Sequence, residues 1–149
     1  MKIETLLGIS ILLLTSFCFL CAAQSKPEKT ERAPDYSELE KAPAKYRAKA
    51  NPLAKDKDSI PAGKILFEEH CAECHGESAS GTKKAPSLRA QEVQTAPPGS
   101  LFWILSNGIV RKGMPVWSKL PEPQRWQLIT FIQSLGPAEA VENKAAAKP

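Results

Sequence analysis

His70, Cys71, Cys74 and His75 fall within six consecutive positions of "HCAECHG", and they account for both histidines of the chain and two of its four cysteines. Side chains of these types can hold a metal ion, cycle between dithiol and disulfide, or form covalent thioethers, and spacing separates the three. A structural zinc site takes four ligands, normally two pairs set a dozen or more residues apart so that the chain can fold around the ion. Neighbouring side chains within a turn and a half cannot all converge on one centre, which weighs against zinc. A redox pair of thioredoxin type expects a strand before the motif and a helix starting at it. The residues upstream read instead as helix.

Cys-x-x-Cys-His is also the signal for covalent haem attachment. Two thiols three positions apart on a helical turn can add to the two vinyl groups of one haem, and His75 follows at once, against the iron. The sixth iron position then decides the chemistry, because an open one binds small molecules whereas a filled one mainly passes electrons. The chain has two methionines, Met1 and Met114. Met114 lies in "RKGMPVW", residues 111 to 117, between a glycine that lets backbone approach closely and a proline that stiffens the turn. A methionine on a buried helix face is ordinary packing; a lone one on a stiff loop reads better as the distal ligand of a Met/His pair. His70 precedes Cys71, points elsewhere, and reads as a surface or haem-edge residue.

The other cysteines, Cys18 and Cys21, lie in "LLGISILLLTSFCFLCAA", residues 6 to 23. This apolar run follows Lys2 and ends in small residues before Gln24, the pattern of a secretory signal cut after Ala23. An uncleaved membrane anchor is the alternative, since the run approaches spanning length and Glu4 weakens the positive start. Leu20 and Phe17, bulky residues ahead of Cys21 and Cys18, argue against a lipoprotein signal. Either way the remainder is exported, to the periplasm or an equivalent compartment, free or tethered at its N-terminus. After cleavage Cys71 and Cys74 are the mature chain's only thiols and Met114 its only thioether.

These groups need elements to hold them. "DSIPAGKILFEEHCAEC" carries Ser59 as N-cap, Pro61 in the first turn and no strand alternation. Gly63, Phe67, Cys71 and Cys74 recur at spacings of four, four and three, so they share one helix face. Glycine there costs about 1 kcal/mol against alanine, which implies that another backbone comes close. The partner is "PEPQRWQLITFIQSLG", with an apolar stripe of Leu128, Phe131, Ile132 and Leu135 and a stop at Gly136-Pro137. A short helix, "SLFWILSNG", starts at Ser100 as N-cap, stops at Gly108 and buries Leu101, Ile104 and Leu105.

Residues 51 to 135 resemble a class I c-type cytochrome of the bacterial single-haem kind, on "CAECH", "APSL" at 85 to 88, "GMP" at 113 to 115 and the first and last helices. The resemblance implies an all-α cytochrome c fold, three to four short helices wrapped around one covalently bound haem c. It implies that Cys71 and Cys74 carry the thioethers, that His75 is the proximal iron ligand and Met114 the distal one. The carbonyl of Pro86 would accept the other ring N–H of His75, and Leu88 would press on the haem face. Gly63 and Phe67 against Leu128 and Phe131 would reproduce the family's helix crossing. Trp103, Trp117 and Arg89 are donors that could reach the propionates.

The division expected is a signal or anchor at 1–23, a Pro/Lys/Glu-rich flexible linker at 24–59, a cytochrome domain at 60–136 and a disordered tail at 137–149. The linker carries nine basic and seven acidic side chains and little apolar periodicity. Its Asn51-Pro52 end is placed to pack on the domain. From Ile60 to Gly136 is 77 residues, a length at which an apolar core rarely supplies more than about 3–5 kcal/mol, so haem would be part of the core. Net charge is +4. Glu68, Glu69, Glu73 and Glu77 cluster on and after the motif helix, whereas Lys83, Lys84, Arg111, Lys112 and Lys119 gather in loops, three of them near Met114. That predicts a positive face on the methionine side, docking an acidic redox partner. Basic residues interspersed with acids and the lack of a recognition motif argue against nucleic acid. The reading is an electron-transfer protein, not an enzyme: a one-electron carrier, or the dedicated cytochrome of an exported dehydrogenase or oxidase.

Overall fold

The computed structural model describes residues 34–137. The signal or anchor at 1–23, with Met1, Cys18 and Cys21, the first part of the linker, and the tail after Pro137 lie outside the described residues. Within them the chain is all helix and loop. The helices are α1 (Ala44–Arg47), α2 (Ser59–His70), α3 (Ala72–His75), α4 (Gln91–Gln94), α5 (Pro98–Asn107) and α6 (Glu122–Ser134), with 3-10 turns at Ser37–Leu39 and Val110–Lys112.

The crossing of α2 and α6 is the principal helix contact. It is built on Gly63, where a Cβ would run into the carbonyl of Gln127 and the Cβ of Phe131. The near neighbour of Gly63 is therefore Gln127 rather than Leu128. One turn on, the rings of Phe67 and Phe131 lie 5.4 Å apart, tilted, an arrangement aromatic quadrupoles favour. Phe67, Leu128 and Ile129 are fully buried between the helices. On the other side of α6, Trp126 stacks on Phe102 of α5 at 4.3 Å, which ties the third helix to the pair.

Local chemistry moves two helix starts from their expected places. Ser59 is the first residue of α2, not its cap; it is buried, and its hydroxyl donates to Asp56 at 2.7 Å. α5 begins at Pro98, two residues before Ser100. Proline suits a first helical turn because its missing amide would be unpaired there anyway. Ser100 is buried inside that turn. α4 was not anticipated: four residues with one buried apolar side chain, Val93, carry too short a pattern.

The compact unit begins at Pro34, not Ile60. Residues 34–58, expected as flexible linker, pack on the helices one contact at a time. Ala42, Glu38 and Asn51 are buried. Gly99 passes so close to the Tyr46 carbonyl that a Cβ there would collide with it. Asn51 donates to Thr130 of α6 at 2.9 Å and accepts from the amide of Leu53 at 2.8 Å, which realises the packing expected of Asn51-Pro52.

Candidate functional site

α2 ends at His70, and Cys71 sits in the break before α3, with φ of −123°. The carbonyl of Cys71 accepts from the amides of Cys74 and His75 at 3.1 and 2.9 Å, so one tight turn carries both thiols and the imidazole. Cys71 is buried, while Cys74 and His75 are half-buried. Burial, with a smaller contribution from Cys74, pushes the Cys71 thiol up to about 11. Reactive dithiols have the opposite setting, a thiolate stabilised by positive surroundings. Among the described residues no three His, Cys, Asp or Glu side chains gather to hold a metal ion; His70 stands instead against the ring of Trp117, 5.2 Å away.

The loop after α3 folds back to hold this turn. The carbonyls of Cys74 and His75 are orphans of a helix end, and they are taken by the Thr82 hydroxyl at 2.5 Å and the Gly81 amide at 2.9 Å. The return brings the Pro86 carbonyl to 2.8 Å from His75 Nδ1. A carbonyl oxygen can only accept, so Nδ1 carries the proton and Nε2 keeps its lone pair. Burial lowers the His75 pKa, partly opposed by this bond, which further favours the neutral ring that ligates metals. The next residues are fixed in turn: Leu88 donates its amide to Ala79 at 2.9 Å, and Arg89 donates to the Leu135 carbonyl at 2.6 Å, at the C-terminal end of α6. Arg89 is thus engaged in closing a helix end.

Met114 lies in a small closed loop. Ile109 and Met114 exchange backbone hydrogen bonds at 3.0 and 3.3 Å as an antiparallel bridge, around the 3-10 turn Val110–Lys112. Trp117 donates its amide to Leu105, tying the loop's exit to α5. The glycine on which backbone closes is Gly108, not Gly113: a Cβ on Gly108 would stand 2.7 Å from the Pro115 carbonyl, whereas nothing lies within 4 Å of Gly113. Gly113 serves by its φ of +88°, which L side chains rarely adopt.

Met114, Leu66, Leu88, Trp117 and Leu120 all pack against the core cluster that includes Cys71, Phe67 and Leu105, yet each remains partly exposed. An apolar rim left open at a core that includes the Cys71 thiol, with Cys74 half-buried one turn on, fits a flat apolar group attached there. Val110 and Val116, on either side of Met114, are 68% and 45% exposed. The basic face expected here is partly cancelled: Lys112 meets Asp35 at 2.7 Å and Glu38 at 3.5 Å, and Arg111 stands 3.9 Å from Glu38. Lys84 likewise pairs with Glu73 at 2.9 Å.

Residues 58–132, half of the chain, match the family model described as cytochrome c oxidase, cbb3-type, subunit III. Among curated proteins the chain is similar to the cbb3-type cytochrome c oxidase subunit CcoP of Azospirillum sp. (strain B510), 31% identical over 101 residues, covering 61% of this chain and 33% of that protein. It is also similar to the CcoP subunit of Rubrivivax gelatinosus, 34% identical over 67 residues, covering 45% of this chain and 20% of that one. The chain therefore spans a third or less of the length of these relatives. Among solved structures it resembles cytochrome cL of the marine methylotrophic bacterium Methylophaga aminisulfidivorans MPT, with a TM-score of 0.52 and 25% identity over 86% of this chain and 85% of that one.

Proposed function

Because the chain belongs to the family of c-type cytochrome domains described as cytochrome c oxidase, cbb3-type, subunit III, we propose that it carries one covalent haem c and serves an exported oxidase or dehydrogenase complex as its dedicated cytochrome. The observation that carries this reading is the His75 ring, oriented by Pro86 one residue after a thiol pair on a tight turn. Cys71 and Cys74 would hold the haem through thioethers, and His75 Nε2 and Met114 Sδ would ligate its iron. Bound haem supplies a one-electron couple. The chain's own work is to keep the ligands in place through that cycle. The Pro86 carbonyl fixes the His75 ring and raises its basicity, as a partner on the far nitrogen does. The bridge from Ile109 to Met114 restrains the loop that presents the thioether. A Met/His pair favours a comparatively positive potential.

Partners would meet the exposed valines on either side of Met114, Val110 and Val116. Export follows from the 1–23 reading, and tethering through that segment remains part of the proposal. Among the described residues no helix is long and apolar enough to cross a membrane. A second reading, a freely diffusing single-haem carrier, is supported by the match of nearly whole chain to nearly whole chain with cytochrome cL.

The test is to isolate the tagged full-length chain from its native host, from both membrane and soluble fractions, and identify what travels with it. Haem that resists acid-acetone extraction, together with oxidase or dehydrogenase subunits in stoichiometric amounts, is the expected result. Haem on a chain that migrates alone in both fractions would favour the carrier. Absence of haem would overturn both and return Cys71 and Cys74 to dithiol chemistry.

A further inference from the structure

The segment just ahead of α1 is pinned to both loops that present the proposed ligands. The Tyr36 hydroxyl donates to the Ser87 carbonyl at 2.9 Å, one residue beyond the carbonyl that orients His75. From the residue just before Tyr36, Asp35 accepts at 2.7 Å from Lys112, which stands two residues before Met114. Glu38 completes the second attachment. Its side chain is only 11% exposed and faces three cations, Lys41 at 2.8 Å, Lys112 at 3.5 Å and Arg111 at 3.9 Å.

A lone surface ion pair contributes little. This one differs in being anchored. The 3-10 turn Ser37–Leu39 fixes the short span between Tyr36 and Glu38. Ala42 is buried behind it, and the Tyr46 carbonyl is seated on Gly99. Arg111 and Lys112 belong to the 3-10 turn that closes on Met114, and both reach toward the one sunken Glu38 carboxylate.

We propose that Asp35–Glu38 form a strap that holds the His75-side loop and the Met114 loop in one register, with Tyr36 and Lys112 as its positioning residues. The inference rests on the haem reading above. Methionine sulfur is a neutral, weak ligand, so the fraction of molecules with an open iron position follows how often the loop from Ile109 to Met114 opens. The strap makes that opening depend on a hydrogen bond made at the opposite loop.

The experiment compares the full-length holoprotein with Tyr36→Phe, Lys112→Gln and Lys112→Arg. Hydrogen exchange is followed at the Met114 and Leu88 amides, alongside carbon monoxide binding to the reduced protein and the weak far-red ferric band of sulfur on iron. Tyr36→Phe, made at the Ser87 end, is expected to speed exchange at Met114 and carbon monoxide binding about fivefold, the equivalent of one hydrogen bond's net contribution. Lys112→Gln should speed exchange at Leu88, and Lys112→Arg, which keeps the charge, should not. Effects confined to each variant's own loop would overturn the strap while a wild-type spectrum with the far-red band left the haem reading intact. A wild-type protein with no haem would overturn the reading beneath it.

Discussion

Gly63→Ala tests whether the α2–α6 crossing is as tight as its geometry. The added Cβ would stand 2.7 Å from the Gln127 carbonyl carbon and 2.8 Å from Phe131 Cβ, and nearer still to the Gln127 oxygen. The obstacle is backbone on one side, so relief requires the helices to separate by roughly an ångström. Overpacking of this kind costs ~1–3 kcal/mol, and parting the rings of Phe67 and Phe131 adds ~0.5–1.5 kcal/mol. Alanine returns about 1 kcal/mol of helix propensity. A net loss of about 2 kcal/mol lowers the melting temperature of a domain this size by roughly 8–16 °C. The assay is thermal unfolding of the full chain followed by helical circular dichroism. Ile65→Ala is the control, because Ile65 lies on the same helix but is 56% exposed and should change stability by about 0.5 kcal/mol or less. A Gly63→Ala melt within about 2 °C of that control would refute the reasoning that this glycine exists for backbone contact.

Asn51→Ala removes both the bond to Thr130 and the acceptor for the Leu53 amide, so the urea midpoint should fall by the equivalent of ~1–3 kcal/mol at unchanged slope; an unmoved midpoint would mean that residues 34–58 do not contribute to folding. On the proposed reading, Met114→His should retain covalent haem but lower the midpoint potential, since a Met/His pair would raise it; an unchanged potential in equilibrium titration would remove Met114 from the proposed ligand set. Asp56 is held below the ordinary carboxylate range, chiefly by the Ser59 hydroxyl and then by the Asp58 amide. A depressed carboxylate contributes stability above its unfolded pKa and loses it as pH falls. Asp56→Asn should therefore melt lower than wild type at neutral pH, and the gap should close well below about 3.9; a gap independent of pH would point to a hydrogen-bond role that does not need the charge.

What the sequence disclosed follows the range of each interaction. Covalent attachment demands fixed spacing and iron ligation demands particular residue types, so Cys71, Cys74, His75 and Met114 stand out in the sequence as candidates. The Gly63 face was legible because a helix repeats its contacts every three or four residues. Its register against α6 was not: whether Gln127 or Leu128 meets Gly63 depends on how two helices slide, which neither stripe encodes. Ser100 misled because a hydroxyl before an apolar run has the composition of a cap, while the Pro97-Pro98 pair ahead of it had already set the backbone for helix. Residues 34–58 were hidden by averaging. Tyr36, Ala42, Tyr46 and Asn51 are anchored singly amid charged neighbours, and a composition window dilutes such isolated anchors into a linker. The opposed charges of Lys112 and Asp35, 77 positions apart, could be counted in the sequence but not paired.

The burial of Cys71 has a bearing on how the protein comes to be made. In the closed fold Cys71 is buried in the core, and burial pushes its thiol up to about 11. A thiol so placed is a weaker nucleophile and less accessible than the same thiol on an open chain. On the proposed reading the thioethers form more readily while the newly exported chain is still open, before α2 closes on α6. Maturation would then be a race between ligation and collapse, and variants that speed folding of the empty chain would emerge with less cofactor, however stable they were.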